Sequence, residues 1–265
     1  EYIRAAHGAA GLAHITKGVF ENSFLPKPSL DEQQKVVSEI EKQFTRLDAG
    51  VAALKRLQNN LKRYRASVLK AACEGKLVPT EAELARQEGR YYEPASVLLE
   101  RILKERREKW MEQNPKKKYV EPKGPDTSNL PDLPEGWCWA TAEQVTSMIT
   151  DGEHITPERS SSGVLLLSAR NILDGKLALD NVDYVPESEY KRIAKRLTIN
   201  PGDVLLSCSG SVGRSCIAPE NLKFTLVRSV AVLKPFYEMG QYISISLRSP
   251  ILKSQIDEKK TQTAQ

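Results

Sequence analysis

No apolar run in this 265-residue sequence approaches the ~18 residues that cross a bilayer, and no charged-apolar-small pattern marks an export signal. The expectation is a soluble, cytoplasmic protein with no membrane partner. Cysteine is scarce: Cys73, Cys138, Cys208 and Cys216 form no C-x-x-C pair, which excludes the common zinc-ribbon and dithiol spacings and suits reduced thiols. His7, His14 and His154 are too scattered for a zinc site and no nucleophile stands beside them, so no metal is expected. No G-x-G-x-x-G follows a strand, which removes the usual signature of a nucleotide or S-adenosylmethionine pocket. Asn114-Pro115 opens like the N-P-P-[YF] loop of adenine methyltransferases, but Lys116–Lys118 stand where the second proline and aromatic belong. Glu258-Lys259-Lys260 has the E-x-K form of nucleases without an upstream metal-binding aspartate. Catalysis is therefore not expected of this chain.

Acidic residues are also missing from one long stretch, with none between Ala49 and Ala72, where Lys55, Arg56, Lys62, Arg63, Arg65 and Lys70 occur. Such a run is either a solvated face or a surface for a phosphate backbone, and the net charge of +5 is compatible with a nucleic-acid partner.

That stretch lies in the most informative part of the chain. Pro28 to Lys76 reads as one helix, with Ser29 and Glu32 forming a capping box, Gly75 at the C′ position and Pro79 barring continuation. About 45 residues at ~1.5 Å each give roughly 65–70 Å, the length of a spacer. Val37, Ile40, Phe44, Leu47, Val51, Leu54, Leu61 and Val68 recur at alternating intervals of three and four, the coiled-coil rhythm, interrupted by Gln58 and Arg65. No second helix of comparable length is visible, so the partner helix is expected from elsewhere.

Residues 1–27 are rich in Ala and Gly and read as the tail of a domain. After the long helix, Thr80 to Tyr92 is polar. Pro94 then suits the first position of a second helix, with Val97, Leu98, Ile102 and Trp110 on one face. Asn114 to Pro134 carries five prolines and reads as a linker. From Glu135 short β-like runs appear at Val164–Ser168, Leu177–Leu179, Val204–Ser207 and Val227–Leu233, with helices at Thr141–Met148, Ser188–Lys195 and Gln241–Ile256. The fold class is α+β: a long coiled-coil helix joined to an α/β domain built on a curved, mostly antiparallel sheet.

Three loops carry candidate DNA contacts. Thr150–Pro157 offers His154 and Thr156, or is an Asx-type turn, and its Glu153 is suited to accept from cytosine N4. Ser168–Ile172 presents Arg170 and Asn171, the side chains that pair with guanine and adenine, although Arg170 serves equally as a phosphate clamp or salt-bridge partner. Ser207–Arg214 is a Gly-Ser loop leaving a strand; Ser209, Ser211, its amides and Arg214 suit a phosphate, or it is a plain turn. The helix cations Lys55, Arg56, Lys62 and Arg63 complete the set.

The segments L-P-K-P-S-L-D-E-Q-Q-K-V-V at Leu25–Val37 and L-D-A-G-V-A-A-L-K-R-L-Q-N-N-L-K-R-Y-R-A-S-V-L-K-A-A-C-E-G-K-L-V-P at Leu47–Pro79 resemble the central spacer helix of type I restriction–modification specificity (S) subunits. A-H-I-T-K-G at Ala13–Gly18 resembles the end of a first target-recognition domain. E-G-W-C-W-A-T, D-G-E-H-I-T-P and P-G-D-V-L-L-S-C-S-G-S-V-G-R resemble the opening and middle of a second. The resemblance implies a first-domain tail at 1–27, a spacer helix at 28–79, a second helix and linker at 80–134, and a second recognition domain, incomplete, at 135–265. It implies a non-catalytic subunit that reads half-sites of an interrupted double-stranded DNA target and docks methyltransferase (M) subunits, with a restriction (R) subunit joining later. S-adenosylmethionine, ATP and Mg2+ then belong to the partners and none to this chain. The second spacer helix is expected from the same subunit, in which case this chain is a fragment, or from a second copy of a permuted half-subunit. The alternative is a coiled-coil scaffold that does not bind DNA.

Overall fold

The computed structural model describes residues 17–260. Most of the 1–27 tail, the Ala13–Gly18 motif up to residue 16, His7, His14 and the end of the chain at 261–265 lie outside the described residues. The chain divides into two units, 1–61 and 62–265.

In the first unit a short helix, α1 (Lys17–Glu21), precedes the long helix α2 (Leu30–Cys73), which runs on through the boundary. The capping box forms as expected: the Ser29 amide and hydroxyl donate to Glu32 Oε2, at 3.0 and 2.7 Å, and the Glu32 amide returns a bond to Ser29 Oγ at 3.3 Å. From Val37 to Leu61 the apolar seam is 41–67% exposed among the described residues at every coiled-coil position named above.

The second unit begins with the last turns of α2. Gly75 adopts φ +67°; the Lys76 amide donates to Ala71 O at 2.8 Å and the Gly75 amide to Ala72 O at 3.3 Å. These two bonds form a Schellman cap and satisfy carbonyls that the helix end leaves open. Val68, assigned to the seam, is half-buried inside this unit, so the fully exposed part of the stripe stops short of it. The polar segment after Pro79 holds a helix that periodicity does not reveal, α3 (Glu81–Glu88), with a Thr80–Glu83 capping box and Gly89 at φ +64°. The next helix is α4 (Ala95–Gln113); Pro94 is its N-cap rather than its first residue, and Ile102 rather than exposed Val97 anchors its buried face. The proline-rich 114–134 segment has no regular element but is strapped to α4: Tyr119 meets Trp110 edge-on at 5.4 Å and Glu121 pairs with Arg107 at 2.7 Å.

The body follows as α5 (Ala142–Val145), β1 (Thr146–Asp151), β2 (Val164–Leu167), a 3-10 turn at Ala169–Asn171, β3 (Ile172–Leu173), β4 (Lys176–Leu177), β5 (Asp183–Val185), α6 (Glu187–Ala194), β6 (Val204–Ser207), β7 (Ser215–Ile217), β8 (Phe224–Leu226), β9 (Val230–Pro235), α7 (Gly240–Leu247) and α8 (Pro250–Lys259). One sheet has the order β1-β9-β6-β7 and is antiparallel throughout; a second, β5-β2-β8, joins β2 to β8 in parallel; β3 and β4 form a small hairpin. Leu167, Ile172, Leu205, Cys216, Leu226, Val230 and Val232 make the main core. Val204, Leu233 and Leu247 form another cluster, against which Ile243, Leu252 and Ile256 of α7 and α8 pack. The α+β, mostly antiparallel reading holds.

Two expected helices differ. Thr141–Met148 is helical for four residues only, because β-branched Thr146 and Ile149 enter β1 and pair with β9. Gln241–Ile256 is two helices, since Pro250 lacks an amide and disfavours helical backbone before it; Ser249 caps the second, accepting from the Leu252 amide at 3.4 Å. Among the described residues no helix is long and apolar enough to cross a membrane.

Candidate nucleic-acid interface

The link between β8 and β9 is a tight turn, closed by the Val230 amide donating to Val227 O at 3.1 Å. All three predicted loops are bonded to it. From the first loop, the Gly152 amide donates to Val230 O (2.9 Å) and the Glu153 amide to Leu226 O (2.8 Å), while Glu153 O accepts from the Arg228 amide (3.0 Å). From the second, the Ala169 amide donates to Ser229 Oγ at 3.0 Å. From the third, the Cys208 amide donates to Ser229 O at 2.8 Å. Gly152 is required by this packing: a Cβ there would sit 2.4 Å from Val227 O. Loops separated by up to about 60 residues are thus anchored on one turn.

The first loop is gripped from α6 and its continuation. Arg196 donates to Asp151 O at 3.0 Å and to Gly152 O. Arg192, paired with Glu189 through two 2.9 Å bonds, lies 3.7 Å from Glu153. Glu153 is buried and its Oε1 accepts from the Ile155 amide at 3.0 Å. The expected cytosine contact of Glu153 is therefore corrected: the carboxylate braces its own loop. His154 Nε2 lies 2.9 Å from Asp151 Oδ1, a hydrogen bond that holds the Asp151 carboxyl below its ordinary range. His154 and Thr156 are exposed.

In the second loop Arg170 and Asn171 part company. Arg170 is exposed and donates to Asp183 Oδ2 at 2.9 Å, an oxygen that Arg159 also approaches at 3.7 Å. Asn171 is fully buried: its Oδ1 accepts from the Ser168 amide and its Nδ2 donates to Ala178 O and Asn181 O, each at 3.0 Å. An amide side chain with its hydrogen bonds spent inside the fold cannot read adenine, so Asn171 is removed from the contact set.

The third loop uses part of its backbone internally. The amides of Val212, Gly213 and Arg214 donate to Gly210 O, Ser207 O and Ser207 Oγ, each at 3.0 Å, so these three do not serve a phosphate. The amides of Ser209, Gly210 and Ser211 have no acceptor among the described residues, and Gly210 at φ +64° turns the backbone there. These residues line an open cleft of about 360 Å³ with Ser168, Ala169, Arg170 and Ser229. Amides, hydroxyls and one guanidinium facing the same cleft make a surface suited to an anion. Arg214 is half-exposed with no carboxylate partner among the described residues, and exposed Lys55, Arg56, Lys62 and Arg63 on α2 likewise meet no carboxylate there.

One residue escaped the sequence reading. Arg228 sits at the corner of the β8–β9 turn, exposed, its guanidinium without an acceptor among the described residues. Its only signal is an Arg-Ser pair interrupting an apolar run that otherwise reads as a continuous strand.

The second unit is thus an α+β domain that gathers polar and cationic loops onto one surface, and it follows a long helix bearing an exposed heptad seam. No family model matches the sequence. The chain is similar to type I restriction enzyme specificity subunits: it is 22% identical over 264 residues to the EcoBI specificity subunit of Escherichia coli, covering 99% of this chain and 49% of that one. It is 23% identical over 298 residues to the EcoAI specificity subunit of the same organism, covering 94% and 49%. The chain spans about half the length of these curated relatives. A solved structure concerned with complex assembly and conformational transition of the type I restriction–modification system aligns over 92% of this chain at 18% identity and a TM-score of 0.49.

Proposed function

We propose that this chain is the DNA-reading part of a type I restriction–modification specificity subunit, with the loops gathered on the β8–β9 turn reading half of an interrupted duplex target. The observation that carries the reading is a similarity to specificity subunits that runs through helix and loop domain alike, over 99% of the chain. The unpaired cations and free loop amides are the chemistry that a DNA backbone requires, and α2 is the spacer. His154, Thr156, Arg170, Ser209, Ser211 and Arg214 are the candidate contacts on the domain, and Lys55, Arg56, Lys62 and Arg63 those on the helix. The 1–27 segment is assigned to the tail of another recognition domain and 80–134 to the connection. The chain itself is non-catalytic; methyltransferase subunits dock beside the spacer, and they and the restriction subunit carry S-adenosylmethionine, ATP and Mg2+. A scaffold that ignores DNA is not favoured, because the relatives are specificity subunits.

The test is selection from randomised duplexes by the chain together with its methyltransferase subunits, followed by affinity against salt. Enrichment of a bipartite sequence is expected, with an affinity that falls steeply as salt rises. Binding that is absent, or that enriches no sequence, rejects the proposal.

A further inference from the structure

The turn that joins the three loops also presents an exposed arginine with no carboxylate partner among the described residues, and resting on the DNA-reading function above, we propose that Arg228 is a specificity-determining residue that donates in bidentate fashion to a guanine. Three observations carry this. First, the backbone of Arg228 is fixed: its amide donates to Glu153 O at 3.0 Å, and its neighbour Ser229 accepts from Ala169 through Oγ (3.0 Å) and from Cys208 through its carbonyl (2.8 Å). Second, the side chain is exposed and meets no carboxylate among the described residues, whereas the guanidinium of Arg170, the arginine that the sequence singles out, is engaged by Asp183 at 2.9 Å. A guanidinium already spending donors on a carboxylate has fewer for a base edge, and its charge is largely offset. Third, Arg228 is bonded through its amide to the first loop, which carries exposed His154 and Thr156, and its neighbour Ser229 lines the anion-suited cleft together with Ser209, Gly210 and Ser211. A phosphate held at that cleft fixes register and leaves the guanidinium of Arg228, on the adjoining fixed corner, available to a base edge. Arg presents two parallel donors that match guanine O6 and N7, the commonest specific contact in the major groove.

The experiment uses the chain with its methyltransferase subunits, the selected target duplex and a random duplex of equal length. Arg228→Ala is expected to lose roughly 5- to 150-fold on the target and much less on the random duplex. Arg228→Lys, which keeps the charge but loses the paired donors, is expected to hold random-duplex binding while losing preference for the target. Guanines of the target are then replaced singly by 7-deazaguanine, which lacks the N7 acceptor. One position is expected to weaken the unaltered protein and leave Arg228→Ala indifferent. Equal losses on target and random duplex, or no position to which Arg228→Ala has become indifferent, overturns the assignment while leaving the DNA-reading function standing. Failure of the unaltered protein to enrich any sequence overturns that function itself and the assignment with it.

Discussion

Asn171 shows how one residue decides whether a loop reads or merely folds. Its side-chain oxygen and nitrogen tie the Ser168 amide to the carbonyls of Ala178 and Asn181 in a fully buried position. Asn171→Ala strands those partners, so a loss of about 1–3 kcal/mol of stability is expected from denaturant unfolding, larger if more than one stays dry. Nothing in S-A-R-N-I separates Arg170 from Asn171, because exposure here is set by a 3-10 turn and by strands far along the chain. Glu153 was illegible for the same reason, since its partner Arg192 lies on α6, and Arg228 was hidden by the apolar residues around it. Cys216 offers a test by pH. Burial pushes its thiol up to about 12. The folded state keeps a proton that the unfolded chain releases near pH 9, so this contribution is intact below pH 9 and is lost progressively as pH rises toward 12. Unfolding of the unaltered protein and of Cys216→Ala, compared across that window, should show a shallower decline in the variant.

Among the elements, α2 was legible because its signals are local and redundant: a capping box, a heptad rhythm and a C′ glycine all agree. The strands were legible where Val and Leu run together, as at Val164–Leu167, Val204–Leu206 and Val230–Leu233. β5, β7 and β8 are three residues each, too short for any period to register, and they exist because neighbouring strands supply the ladder. The α3 helix lay in a polar stretch with two small alanines, Ala82 and Ala85, as its buried residues and half-buried Leu84 beside them. Two glycines test these junctions. At Gly75 a Cβ would sit 2.4 Å from Pro134 Cγ on a left-handed backbone, so Gly75→Ala should cost about 1–3 kcal/mol and lower the midpoint of thermal unfolding. Gly152→Ala pushes the first loop away from Val227 and should weaken target binding more than random-duplex binding, measured side by side on folded protein; equal effects would show that the loop does not contribute to reading.

At the scale of the whole molecule, the seam of α2 stands exposed. Phe44, Leu47 and Leu54 are 61–67% exposed in a row that also includes Val37, Ile40, Val51 and Leu61. A row of large apolar side chains of this length marks an association surface. The heptad spacing suits a second long helix, supplied by the same subunit or by another copy. On this proposal Leu47→Asp or Leu54→Asp places a carboxylate in the covered seam at a cost of several kcal/mol, while residues 62–265 keep their fold. Sedimentation of the unaltered chain and the two variants reads the outcome directly: assembly lost with unchanged circular dichroism supports helix pairing, and unchanged assembly rejects it. The cations on the same helix separate from the seam in this experiment. Lys55→Gln or Lys62→Gln should leave assembly intact, weaken target and random duplexes alike, and lower the slope of log affinity against log salt by about one. An unaltered slope for both would assign these side chains to solvent and leave DNA contact to the loop domain alone.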